Sequence, residues 1–102
     1  MASRLEVAEN LFTRMKGLLG RSALVAGEGL LIRPCKGIHT FGMKFPIDAV
    51  FLDANNRVIA ATKNILPNRI SSFYLSAACV LELPAGTVEE SATLTGDQLE
   101  LV

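Results

Sequence analysis

The chain has 102 residues, half of them apolar and a fifth charged. That is the composition of one globular domain spanning residues 1–102, and it excludes a disordered tail. No apolar run reaches the roughly 18 residues of a transmembrane helix, and ten basic residues against ten acidic ones exclude generic counterion-driven nucleic-acid binding.

In chain order, Leu5 and Val7 alternate with Arg4 and Glu6, the pattern of a short half-buried strand. Asn10 then caps a predicted helix over 10–19. Leu11, Met15, Leu18 and Leu19 recur at helical spacing with Phe12 beside them, Gly17 and Gly20 weaken and end the helix, and Arg21 follows it. Gly27 and Gly29 bracket a turn, and 29–33 reads as a strand. Residues 34–46 are punctuated by two prolines and two glycines, which rules out a long helix. A short strand or structured loop is expected there, with Ile38, Phe41, Met43 and Phe45 as inward anchors.

The segment 48–53 is the strongest strand. Asn55 and Asn56 turn the chain, and 57–64 returns as its hairpin partner. Residues 66–76 read as a loop, 78–83 as a buried strand, 88–94 as one or two helical turns, and 98–101 as a final strand. The order predicts an α+β domain. One main helix, 10–19, packs on a curved, mostly antiparallel sheet or partial barrel.

Charge is segregated along the chain. Residues 1–44 carry seven basic and three acidic groups, and 45–102 carry three basic and seven acidic ones. Either the two halves pack against each other, or the first half builds a local basic pocket for an anion. Arg4, Glu6, Glu9, Arg14 and Lys16 interrupt any signal-peptide core, so a cytoplasmic location is expected. Cys35 and Cys79 are then expected to stay reduced.

Several phrases occur together: R-x-x-G-L-L-G-R at 14–21, GEGLLI at 27–32, IHTFGMKFPIDAVFLD at 38–53, VLELPAG at 80–86 and T-G-D at 95–97. On these the chain resembles domain-of-unknown-function family 192, in particular its members that carry the IHTFGM phrase. The resemblance spans essentially the whole chain. It implies a compact, β-rich α+β domain and brings no activity with it. Few residues precede Ala8 compared with the family pattern, so a clipped first strand is expected, a matter of stability rather than function.

Three constellations carry possible chemistry. Cys35-x3-His39-x3-Met43 has the ligand types of a copper loop, but His39 is the only histidine, so a type-1 site lacks its second imidazole. No metal and no cofactor is expected. Cys35 with His39, oriented by Asp48 or Glu82, has the group types for acyl transfer. Arg14 and Arg21 bracket the first helix and Lys44 lies beside His39 and Thr40, which suits an anion pocket. The competing reading pairs Arg14 or Arg21 internally with Asp48 or Glu82. Asp48 itself is a turn or cap residue, a partner for a cation, or a base, because a strand disfavours an unpaired aspartate. Glu82 poses the same question, or simply faces solvent between Leu81 and Leu83.

The leading expectation is a non-catalytic, monomeric module that binds a small anionic or carboxylate-bearing ligand. The pocket would lie between helix 10–19 and segment 38–48, with Arg14, Arg21, His39, Thr40, Met43, Asp48 and Glu82 as its candidate residues. The alternatives are a hydrolase or transferase using His39 with Asp48 or Cys35, and a protein–protein adaptor with no small-molecule site. No nucleic acid and no membrane is expected as a partner.

Overall fold

The computed structural model describes residues 4–8 and 28–99. Apolar runs with β-branched and aromatic residues become five strands: β1 (Arg4–Ala8), β2 (Glu28–Ile32), β3 (Ile47–Leu52), β4 (Val58–Ile65) and β5 (Cys79–Pro84). They form one sheet in the order β1-β2-β5-β3-β4. Only the β1–β2 pair is parallel; the other pairs are antiparallel. A short helix, α1 (Thr87–Ser91), follows β5. The α+β class and the mostly antiparallel sheet agree with the sequence. The sheet is open, with β1 and β4 at its ends, and no barrel closes among the described residues. The predicted helix 10–19 lies outside the described residues. Of the last predicted strand, Gln98 makes a single bridge to Arg57, and residues 100–101 lie outside.

β3 and β5 sit inside the sheet and are buried on both faces, which is why their sequences are apolar almost without alternation. Leu30, Ile32, Ile47, Ala49, Phe51 and Val80 form one face, and Leu31, Val50, Leu52, Cys79, Leu81 and Leu83 form the other. On the second face Val88 of α1 is buried. The β3–β4 hairpin turns at Asp53–Arg57. Asp53 Oδ1 accepts the N–H groups of Asn55 and Arg57, and Asn56 supplies the positive φ of 62°.

The first face is covered by an irregular ribbon of two segments, 36–41 and 69–75. Thr40 N–H donates to Arg69 O (2.8 Å), Ser71 N–H to Ile38 O (2.9 Å) and Tyr74 N–H to Lys36 O (2.8 Å). His39 and Ile70 form an antiparallel bridge between these bonds. Alternation along the ribbon sends Ile38 and Thr40 inward. Cys35, Met43, Phe45 and Tyr74 join them against the sheet, where the Tyr74 ring lies 4.6 Å from that of Phe51.

One joint links sheet, edge and helix. Between the pairs Ile47↔Ile65 and Ala49↔Thr62, two residue steps on β3 face three on β4. The extra residue makes a β-bulge, and Asn64 adopts a φ of 51° there. A bulge leaves a ladder N–H without its usual partner. Here Asn64 N–H donates to Asp48 Oδ1 at 2.8 Å. The other oxygen, Oδ2, accepts from Gly86 (3.1 Å) and Val88 (2.9 Å), the N-cap residue of α1 and a residue of its first turn. Asp48 is fully buried, and these backbone donors meet the cost of burying its charge.

Asp48→Ala strips acceptors from three buried or half-buried amides. The expected loss is at least about 3 kcal/mol, since each orphaned donor costs about 1–3 kcal/mol. Asp48→Asn keeps one acceptor oxygen and should fall between the two. Urea unfolding of the three chains checks the order, and an alanine variant within about 0.5 kcal/mol of the parent would refute the joint.

Candidate functional site

The expected pocket residues do not share one environment. Thr40 is fully buried, and its hydroxyl donates to Leu66 O (2.6 Å) and accepts from Arg69 N–H (2.9 Å). Its carbonyl accepts from Asn68 (3.0 Å) and Met43 (3.2 Å). Thr40 is therefore a staple between 38–43 and 66–70. Met43 belongs to the core. Asp48 is spent on the bulge and on α1, so of its three sequence readings the geometry supports capping. Arg14 and Arg21 lie outside the described residues.

His39 points the other way and is exposed. Its Nδ1 accepts the Phe41 N–H at 3.3 Å, and its ring stacks on Phe41 with centroids 5.1 Å apart. An accepting Nδ1 leaves the neutral ring with its proton on Nε2. Cys35, by contrast, is buried, and its Sγ donates to Gly37 O at 3.1 Å. Cys35 and Met43, which lie beyond the ends of segment 36–41 and so escape its alternation, sit beneath the ribbon, and the imidazole sits on top. Neither the metal-loop nor the acyl-transfer arrangement is assembled. No disulfide joins Cys35 to Cys79, and burial pushes the Cys79 thiol up from its ordinary range.

Two expectations need correction. Phe41 is not an inward anchor: it is 48 % exposed, because the odd positions of segment 36–41 face outward. Glu82 does not face solvent: it is 5 % exposed. Its strand is covered on both faces, so alternation between two leucines does not lead to water. Glu82 lies in a row with Leu30 and Ala49 on the ribbon-covered face. Burial alone pushes its carboxyl up to about 7.

What the sequence reading missed is the outward face of the ribbon. Ile70 is 72 % exposed and sits opposite His39, while Phe73 is 66 % exposed and packs beside Gly37. Read along the ribbon, Phe73, Ile70, His39 and Phe41 make one strip. The His39–Ile70 pair is flanked by hydrogen bonds rather than exchanging them, the narrow pairing that brings side chains closest. Leu75 extends the apolar surface at one end, where Lys36 Nζ donates to Leu75 O (2.7 Å) and Ala77 O (3.0 Å). Segments 33–46 and 66–78 carry Arg33, Lys36, Lys44 and Arg69 and no acidic residue. The signal was available: three large apolar residues, Ile70, Phe73 and Leu75, stand in a stretch otherwise read as loop. A separate open depression of about 390 Å³ lies at the bulge between Lys63 and Glu89, but the Asp48 carboxylate lining it is already satisfied.

These features define a small α+β domain with its polar groups invested in structural joints and an apolar, basic-rimmed strip on one face. The model of domain-of-unknown-function family 192, described as an uncharacterised ACR, matches residues 1–101. The chain belongs to this family. Its fold is similar to the crystal structure of a protein of unknown function from Novosphingobium aromaticivorans DSM 12444. That match has a TM-score of 0.85 and 23 % identity, covering 95 % of this chain and 74 % of the other. It is likewise similar to a Sinorhizobium meliloti 1021 protein, named as a candidate transcription regulator. There the TM-score is 0.84 and the identity 26 %, covering 94 % of this chain and 79 % of that one. No curated protein matches the chain.

The raised carboxyl of Glu82 gives a signed pH dependence. Folding lifts it from 4.5 to about 7, so the folded state holds the proton across that window while the unfolded state has released it. Stability from this group therefore falls as pH rises through the window, by roughly 3 kcal/mol in all. Glu82→Gln should match the parent near the acid end and exceed its stability above neutrality. Urea midpoints across the window test this, and parallel profiles for the two chains would contradict it.

Proposed function

We propose that this domain is a non-catalytic binding module whose ligand lies on the outward face of the ribbon and carries a carboxylate on an apolar body. The observation that carries this reading is the exposed strip of Phe73, Ile70, His39 and Phe41. Contiguous apolar side chains with a polar rim are the usual mark of an interaction site. Exposed Lys44 and Arg69, with the Nε2–H of His39, supply donors for a carboxylate. An acyl-transfer reading has less support, because Cys35 and His39 lie on opposite sides of the ribbon. The reading does not need Arg14 or Arg21. It moves the site from the expected pocket between helix 10–19 and segment 38–48 to the outward surface that residues 38–41 share with 69–75.

Amide resonances report this directly. Titration with phenylacetate should move the signals of His39, Phe41, Ile70 and Phe73, and acetate or inorganic phosphate should move them less. His39→Ala should weaken the response yet change stability by no more than about 0.5 kcal/mol, as expected for an exposed side chain. Ribbon resonances that stay still in saturating phenylacetate would reject the reading.

A further inference from the structure

Resting on that reading, we infer that the occupant of the strip is an extended, acidic peptide segment of a partner protein with apolar residues at alternate positions. Shape is the first argument. From Gly37, where Phe73 packs, to Phe41 the strip follows four residue steps of extended chain, roughly 13 Å at about 3.3 Å per residue. A small carboxylate covers one side chain of that length. A strand-like peptide repeats its side chains every second residue, about 6.6 Å, which is the repeat at which positions 37, 39 and 41 recur. Its apolar side chains can therefore seat between Phe73, Ile70, His39 and Phe41 in register.

Charge is the second argument. Segments 36–46 and 66–78 hold exposed Lys36, Lys44 and Arg69 and no acid, so a peptide that alternates carboxylates with apolar groups meets opposite charge along its length. Lys36 donates to two neutral carbonyls, and no acid among the described residues pairs with it. Stiffness is the third. The hydrogen bonds of Thr40 and the contact of Tyr74 with Phe51 hold the ribbon in place before anything binds, which lowers the ordering cost of association. Exposed Glu89 and Glu90, with exposed Leu94, also carry the chemistry that complements the strip. They are held in α1 and the turn after it rather than in an extended segment, which makes a separate strand-like partner the better fit than a second copy.

The test is fluorescence anisotropy with a short synthetic peptide alternating glutamate with phenylalanine and leucine. Saturable binding that weakens with salt is expected, together with at least about tenfold weaker binding of the lysine-for-glutamate peptide, about 1.4 kcal/mol. Arg69→Glu and the pair Ile70→Ser with Phe73→Ser should each raise Kd by about tenfold or more while the melting temperature holds. Among the described residues the exposed Arg69 side chain hydrogen-bonds only its neighbour's carbonyl, that of Asn68, so that variant remains informative if the serine pair does not fold. Several outcomes overturn the inference: equal binding of both peptides, tighter binding of anionic vesicles or a DNA duplex, or self-association in sedimentation that the serine pair abolishes. A serine pair that melts early in a chain that binds no peptide also overturns it, because the strip is then covered by its own chain. Phenylacetate binding without peptide binding would sink this inference and leave the binding-module reading standing. Loss of both would remove the two together.

Discussion

The fold turns on one carboxylate. Asp48 sits on the central strand β3, fully buried, where an unpaired charge would cost several kcal/mol. Three backbone N–H groups from two other elements converge on it. The charge is therefore not a flaw in the sheet but the piece that joins it. The bulge at Asn64 needs an acceptor for its displaced N–H, and the start of α1 needs acceptors for the amides that every helix leaves open. Asp48 serves both at once. The bulge also bends β4, the edge strand, and Lys63 is exposed beside it; both features discourage edge-to-edge pairing with another sheet.

Thr40 does the corresponding job on the opposite face. Its hydroxyl and main chain fasten two segments that are distant in sequence and have no regular ladder. Once they are fastened, the ribbon has two sides with different work. Its inner side completes the core with Ile38, Met43, Phe45 and Tyr74. Its outer side needs no contact within the described chain, yet it is built from Phe73, Ile70 and Phe41 rather than polar residues. The polar residues with the greatest chemical range are consumed beneath, and the surface keeps apolar area, one imidazole and cations. Such a division suits recognition better than bond-making, which requires nucleophile and base on the same side.

Much of the sheet was legible in the sequence, because its signals are local. The 48–53 and 57–64 hairpin follows from two apolar runs and the Asn55-Asn56 turn, and β5 from an unbroken apolar stretch. The family resemblance carried the same information. The site was less legible for physical reasons. Asp48 looks alike as cap, base or ion-pair partner until the bulge sixteen residues on and the turn thirty-eight residues on are placed beside it. Phe41 looks like a core residue by composition, and only the long-range pairing with 69–75 shows that its parity faces outward. Glu82 looks solvent-facing by alternation, a rule that fails where a strand is covered on both faces.

Glu82 lies on the sheet face that the ribbon covers, with Leu30 and Ala49 to either side. Burial alone pushes its carboxyl toward the neutral form. The same alternation on a strand with one wet face would have led to water; a strand covered on both faces turns it into a buried acid instead.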